Sequence, residues 1–196
     1  MAMQSNYHPY MSLENYFDLD EKSEIKHEYI DGEIYAMSGG TATHSKIIYN
    51  LGGLLFAQLR DSPCGGYESN LRIKVSETRY VYPDFIVVCG NPDFSDDNQT
   101  MLTNPTMLVE VVSESSERHD RFIKLDLYRS IPSLQIYLLI EQNSARATLY
   151  TRHLDGGWLL RDYIGLNATV PLDAINATLV LSELYETITF DTDSTV

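Results

Sequence analysis

Tyr82-Pro83-Asp84-Phe85-Ile86-Val87-Val88-Cys89 and Thr106-Met107-Leu108-Val109-Glu110-Val111-Val112-Ser113 are the two runs on which the fold turns. Both are almost continuously apolar and rich in β-branched residues, the composition of central strands covered on both faces. Each carries one acid, Asp84 or Glu110. A carboxylate in such a strand is costly to bury unless a cation offsets it, either a metal ion or a basic side chain. Two of them on neighbouring strands can chelate one hard divalent ion through oxygen.

Outward from these runs, the segments alternate between strand and helix signals. Before them, Ser12 can cap a short helix over Leu13-Glu14-Asn15-Tyr16-Phe17. Asp31-Gly32 joins His27-Glu28-Tyr29-Ile30 to Glu33-Ile34-Tyr35-Ala36-Met37, a strong hairpin signal. Ser38-Gly39-Gly40 ends that strand, and Thr41 or Thr43 can cap a helix running to about Arg60. Its apolar stripe is Ile47, Ile48, Leu51, Leu54, Leu55 and Leu59. Pro63-Cys64-Gly65-Gly66 reads as a turn, followed by strands over 67–75, 80–89 and 106–113, the last two separated by a polar loop over 90–105. Residues 115–130 read as a helix, stopped by Ile131-Pro132. Strands are expected over 134–140, 145–150, 158–164 and 178–181, with Asp155-Gly156-Gly157 as a hairpin turn and a short helix from about Ser182. The expectation is one mixed α/β (α+β) domain over 12–190, an N-terminal arm over 1–11 and a frayed tail over 191–196.

Composition agrees with one ordinary globular domain: 196 residues, 43% hydrophobic and 21% charged. No apolar run approaches the roughly 20 residues a membrane span takes, and no signal peptide is visible, so a cytoplasmic protein is expected. Cys64 and Cys89 form no Cys-x-x-Cys pair and are expected as buried free thiols. The five histidines lack zinc-ligand spacing. Fourteen Lys+Arg against 28 Asp+Glu gives a net charge of −14, which excludes nucleic-acid binding by global charge. A local basic groove remains open, from Arg118, Arg121, Lys124 and Arg129 or from Arg72, Lys74 and Arg79.

Lys124 is the third chemical candidate. Glu110 lies about three residues before the end of its strand, roughly 10 Å in at 3.3 Å per residue. If the next helix starts near Glu117 and runs back over the sheet, Lys124 lies about seven residues in, again roughly 10 Å at 1.5 Å per residue. Its ammonium would then meet the two carboxylates and stabilise charge on a transition-state phosphate. Blander readings stand beside these. Asp84 can be a solvated turn acid, Glu110 an acid neutralised by an arginine, and Lys124 the i+4 partner of Asp120 on a helix surface. His44 reads as a helix-start residue rather than a catalyst, and Glu28 as a solvated strand residue.

In order and spacing, Pro83-Asp84, Glu110-Val111-Val112-Ser113 and Asp120-x-x-x-Lys124-x-x-x-Tyr128 resemble the PD-(D/E)XK nuclease superfamily. More narrowly the chain resembles the Uma-type restriction endonuclease family. Glu28-Tyr29-Ile30-Asp31-Gly32-Glu33 with Met37, His44, and Ile136-Tyr137-Leu138-Leu139 extend that likeness over residues 12 to 185. The resemblance implies a restriction-endonuclease-like αβββαβ core with an N-terminal β-hairpin and a β-rich C-terminal extension. It also implies Mg²⁺ (or Mn²⁺) held by Asp84 and Glu110, with the Val111 carbonyl a further ligand and Glu28 a carboxylate at the site edge. DNA is the implied substrate, hydrolysed by a metal-activated water, and a homodimer the expected assembly. The superfamily's usual lysine position, two after the glutamate, is Val112 here, so Lys124 is nominated in its place. The competing expectations are a catalytically silent nuclease fold used for binding or assembly, and an acidic interaction domain whose carboxylates cap buried arginines.

Overall fold

The computed structural model describes residues 10–37, 39–113 and 116–190. Most of the N-terminal arm, the tail, Ser38 of the strand break and the Ser115 helix start lie outside the described residues.

In chain order the elements are α1 (Leu13–Lys22), β1 (His27–Ile30), β2 (Glu33–Ala36), α2 (Ala42–Leu59), β3 (Cys64–Glu68), β4 (Arg72–Ser76), β5 (Arg79–Val81), β6 (Phe85–Cys89), β7 (Met101–Leu102) and β8 (Met107–Val112). A π-helical segment, His119–Lys124, then runs directly into α3 (Leu125–Arg129). After it come β9 (Ile136–Glu141), β10 (Arg146–Arg152), β11 (Trp158–Ile164), β12 (Thr169–Leu172), a 3-10 turn over Asp173–Ile175, β13 (Ala177–Val180) and α4 (Leu181–Leu184).

Two sheets carry the architecture. One has the order β11-β10-β9-β8-β6-β3, the other β2-β1-β5-β4-β7, and β12-β13 form a small separate ladder. The β8–β9 pair is parallel, bridged by the helical segment between them, as a crossover unit requires. On one face of the six-stranded sheet, Val87, Val109 and Leu138 pack against the α2 stripe of Ile47, Leu51, Leu55 and Leu59 and against β12, β13 and α4. On the other face Ile86, Leu108 and Val112 pack with Leu127 and Tyr128 of α3 and with Ile73 and Val81 of the second sheet. Helix α1 docks on the second sheet through a tyrosine cluster of Tyr16, Tyr29 and Tyr80.

Local signals explain the element ends. Ser12 caps α1 by accepting from the Asn15 N–H, and Thr41 caps α2 by accepting from the His44 N–H. Asp31 and Gly32 both take positive φ, +50° and +97°, as a tight β1–β2 turn demands.

Several expectations are corrected. The strand expected over 67–75 is two strands, β3 and β4, in different sheets, parted by a turn at Ser69-Asn70. The strand expected over 80–89 is likewise split into β5 and β6. Pro83 has no N–H to give to a ladder, so the chain breaks there and crosses from one sheet to the other. Asp84 therefore lies in the bend before β6, not inside a strand. Cys64-Gly65-Gly66, expected as a turn, opens β3. Antiparallel pairing sets Cys64 directly opposite Cys89, and the two form a disulfide rather than free thiols. The loop over 90–105 contains β7, which pairs with β4. No helix among the described residues is long and apolar enough to cross a membrane.

Candidate active site at the seam between the sheets

The seam where the chain leaves β5 and enters β6 is the floor of a cleft of about 810 Å³, whose lining includes Glu28, His44, Asp84, Glu110, His119 and Lys124. Each side chain arrives from a different element. Glu28 comes from β1, Asp84 from the Pro83 bend, Glu110 from the centre of β8 and Lys124 from the π-helical segment. Strand alternation directs Glu110 to the same face as Leu108 and Val112, the face α3 covers. Asp120, Lys124 and Tyr128 follow at four-residue intervals, so all three look down at it.

Lys124 Nζ lies 2.9 Å from Glu110 Oε1, 3.0 Å from Glu28 Oε1 and 3.6 Å from Asp120 Oδ1, and is only 3% exposed. The Tyr128 hydroxyl donates to the same Glu110 Oε1 at 2.7 Å. Glu28 is held at both oxygens, by the Tyr82 N–H at 3.0 Å on Oε1 and by His119 Nε2 at 2.8 Å from Oε2. Asp84 Oδ2 accepts the Val111 N–H at 2.7 Å and lies 3.1 Å from His44 Nε2. Val111 thus lines the cleft beside Asp84. The structure brings all five nominated residues, Glu28, Asp84, Glu110, Val111 and Lys124, to one place.

The electrostatics are those of acids crowded around too little positive charge. Burial pushes the Glu110 carboxyl well above the ordinary range, more than the nearby Lys124 ammonium can offset, and Asp120, Asp84 and Glu28 push it further. Asp120 is raised for the same reasons. Glu28 is equally buried, yet Lys124 and two hydrogen bonds hold it below its usual value. Lys124 stays protonated despite burial because Glu110, Glu28 and Asp120 all face it.

This donor set suits a hard divalent cation. Asp84 Oδ1 and Glu110 Oε2 take no hydrogen bond from the described residues, and the surplus negative charge is what a cation in the cleft would discharge. Among the described residues no three His, Asp or Glu side chains form a ready-made cage. An ion here would be held by two carboxylates together with backbone, water or substrate oxygen, as Mg²⁺ characteristically is.

Sequence reasoning missed three partners: His44 on Asp84, His119 on Glu28 and Tyr128 on Glu110. Only Tyr128 had a local signal, its i+4 spacing from Lys124. The two basic clusters that left a local groove open are largely paired. Arg72, Lys74, Arg79, Arg121 and Lys124 are each paired with a carboxylate, leaving Arg118 and Arg129 as the members with no ion pair among the described residues.

A mixed sheet with a parallel central pair, a bridging helix and acids converging at a seam defines a restriction-endonuclease-like fold. A solved structure, a putative nuclease belonging to DUF820 from Anabaena variabilis, has the same fold, with a TM-score of 0.73 at 17% identity over 89% of this chain and 97% of that one. Two uncharacterized proteins of Synechocystis sp. are similar in sequence. One is 35% identical over 161 residues, covering 82% of this chain and 91% of the relative. The other is 36% identical over 183 residues, covering 93% and 95%. The model of the Uma2 family, described as "Putative restriction endonuclease", matches residues 13–183, and the chain belongs to that family.

Proposed function

We propose that this protein is a Mg²⁺- or Mn²⁺-dependent endonuclease that hydrolyses phosphodiester bonds in DNA. The observation that carries this reading is the meeting of Asp84, Glu110 and Lys124, distant in sequence, in one cleft. The family and the fold of a nuclease agree with it.

The Asp84 and Glu110 carboxylates, with the Val111 carbonyl, would hold the ion. When bound, it supplies Lewis acidity that polarises the phosphodiester and acidifies an attacking water. The chain's own residues do the rest. His44 and the Val111 N–H fix one Asp84 oxygen, leaving the other for a ligand. Glu28 and Asp120 anchor the Lys124 ammonium beside Glu110, where its charge stabilises the developing negative phosphate. Glu28, with both oxygens engaged, acts here as an anchor for Lys124 rather than as a first ligand.

The test is incubation of the purified protein with single- and double-stranded DNA in Mg²⁺ and in Mn²⁺, with calorimetric titration of each ion. Cleavage and ion uptake are expected in the natural protein, and both vanish in Asp84→Ala while folding persists. Intact DNA under every condition, with ion affinity unchanged in Asp84→Ala, ends the proposal. A silent nuclease fold is the second reading, favoured by Val112, which is buried in the apolar cluster where the superfamily pattern places a lysine. Ion titration without any uptake is its signature.

A further inference from the structure

A second recess of about 380 Å³ adjoins the main cleft, and the two share Met37, Gly39, Gly40, His44 and Asp84. The His44–Asp84 pair therefore borders both spaces, as do Gly39 and Gly40. A polynucleotide whose scissile phosphate lay at Asp84 could continue past this pair, with its neighbouring phosphate in the second recess.

That recess contains a cation. Lys26 Nζ donates to the Ser69 carbonyl at 2.8 Å and sits 5.5 Å from the centre of the Tyr82 ring. It forms no ion pair among the described residues, unlike Lys22, Lys74 and Lys124. Its ammonium has three donors, so one carbonyl leaves capacity for an anion. Half-burial draws its pKa down, while Asp20 and Asp84 push it back up. Ser45 and Ser69 line the same space, and the exposed Glu24 is the one acid among its described lining residues besides Asp84.

We propose that Lys26, with Ser45 and Ser69, forms a subsite for the phosphate next to the scissile one, a positioning site for a nucleic-acid strand. The inference rests on the nuclease reading but names a separate residue with a separate readout. Neutralising one phosphate contact lowers the slope of log K against log salt by about 0.9 on duplex DNA and about 0.7 on a single strand.

The experiment measures binding of fluorescent single- and double-stranded oligonucleotides across a KCl series, with Ca²⁺ replacing Mg²⁺ so that binding is read apart from cleavage. Natural protein, Lys26→Met and Lys26→Arg are compared, with melting curves for each. Lys26→Met is expected to weaken binding about tenfold at low salt and to lose close to one unit of slope, and Lys26→Arg to regain both. If Lys26→Met binds with the natural slope while binding and cleavage by the natural protein are intact, the subsite is wrong and the nuclease reading survives. A lowered melting temperature with unchanged slope also overturns it, because Lys26 would then only brace the Ser69 turn. If the natural protein binds no oligonucleotide, both proposals fall.

Discussion

At the residue scale, Lys124 keeps its charge where three carboxylates face it and water does not reach. Replacing it by methionine keeps most of the volume but leaves Glu28, Glu110 and Asp120 buried without their cation. Breaking a buried pair in this way costs about 3–5 kcal/mol. The loss should depend on pH, and its sign follows from proton linkage. In Lys124→Met the buried acids titrate above their unfolded values, so the folded state binds more protons and stability falls as pH rises. In the natural protein Glu110 and Asp120 are raised as well, but Lys124 draws both down and holds Glu28 below its unfolded value, so less stability is lost as pH rises. The two effects pull the proteins apart as pH rises. Urea unfolding in metal-free buffer at pH 5 and pH 8 is expected to show a larger deficit for Lys124→Met at pH 8. A deficit that is the same at both, or absent, would show that the ammonium does not neutralise this cluster.

At the element scale, the disulfide ties the edge strand β3 to β6, the strand that leads out of the Asp84 bend. The bridge closes a loop spanning a sequence separation of 25. Constraining the unfolded chain over that length stabilises by about 3 kcal/mol, or about 6–12 °C in a domain of this size. Thermal unfolding with and without reductant should show a drop of that order in the natural protein and none in Cys64→Ala/Cys89→Ala. Equal melting of the natural protein in both buffers would mean the pair is open. The same elements show what a linear reading can see. Asp31-Gly32, the Thr41 cap and the α2 stripe were legible because each signal lies within one turn or one helical repeat. The breaks within 67–75 and 80–89 were not legible, because composition marks a residue as strand without saying which sheet it joins. Pro83 is the one local sign of the second break, since it has no N–H to give to a ladder. The acids and Lys124 could be nominated from their apolar surroundings and depth. His44, His119 and the disulfide depend on contacts between segments 25 to 91 residues apart, for which no local pattern exists.

At the scale of the whole molecule, the proposed function asks a body of net charge −14 to admit a polyanion. Of the seven cations in the two sequence clusters, five are paired with carboxylates, leaving Arg118 and Arg129 from those groups, with Lys26 beside the site. Few phosphates can therefore be neutralised by side chains, and the long-range field opposes approach. Proteins that make 6–10 phosphate contacts lose affinity steeply with salt. If Arg118, Arg129 and Lys26 are the contacts made, log K against log[KCl] on duplex DNA should fall with a slope of only about −2 to −3. On the proposed nuclease reading, the divalent ion would contribute to binding as well as to hydrolysis, because it bridges the Asp84 and Glu110 carboxylates to a phosphate. Removing divalent ions with a chelator should abolish oligonucleotide binding at any KCl concentration, and fluorescence anisotropy reads both effects in one titration series. A slope of −6 or steeper would mean that cations away from the cleft carry the binding, and full binding in chelator that no divalent ion is needed for it.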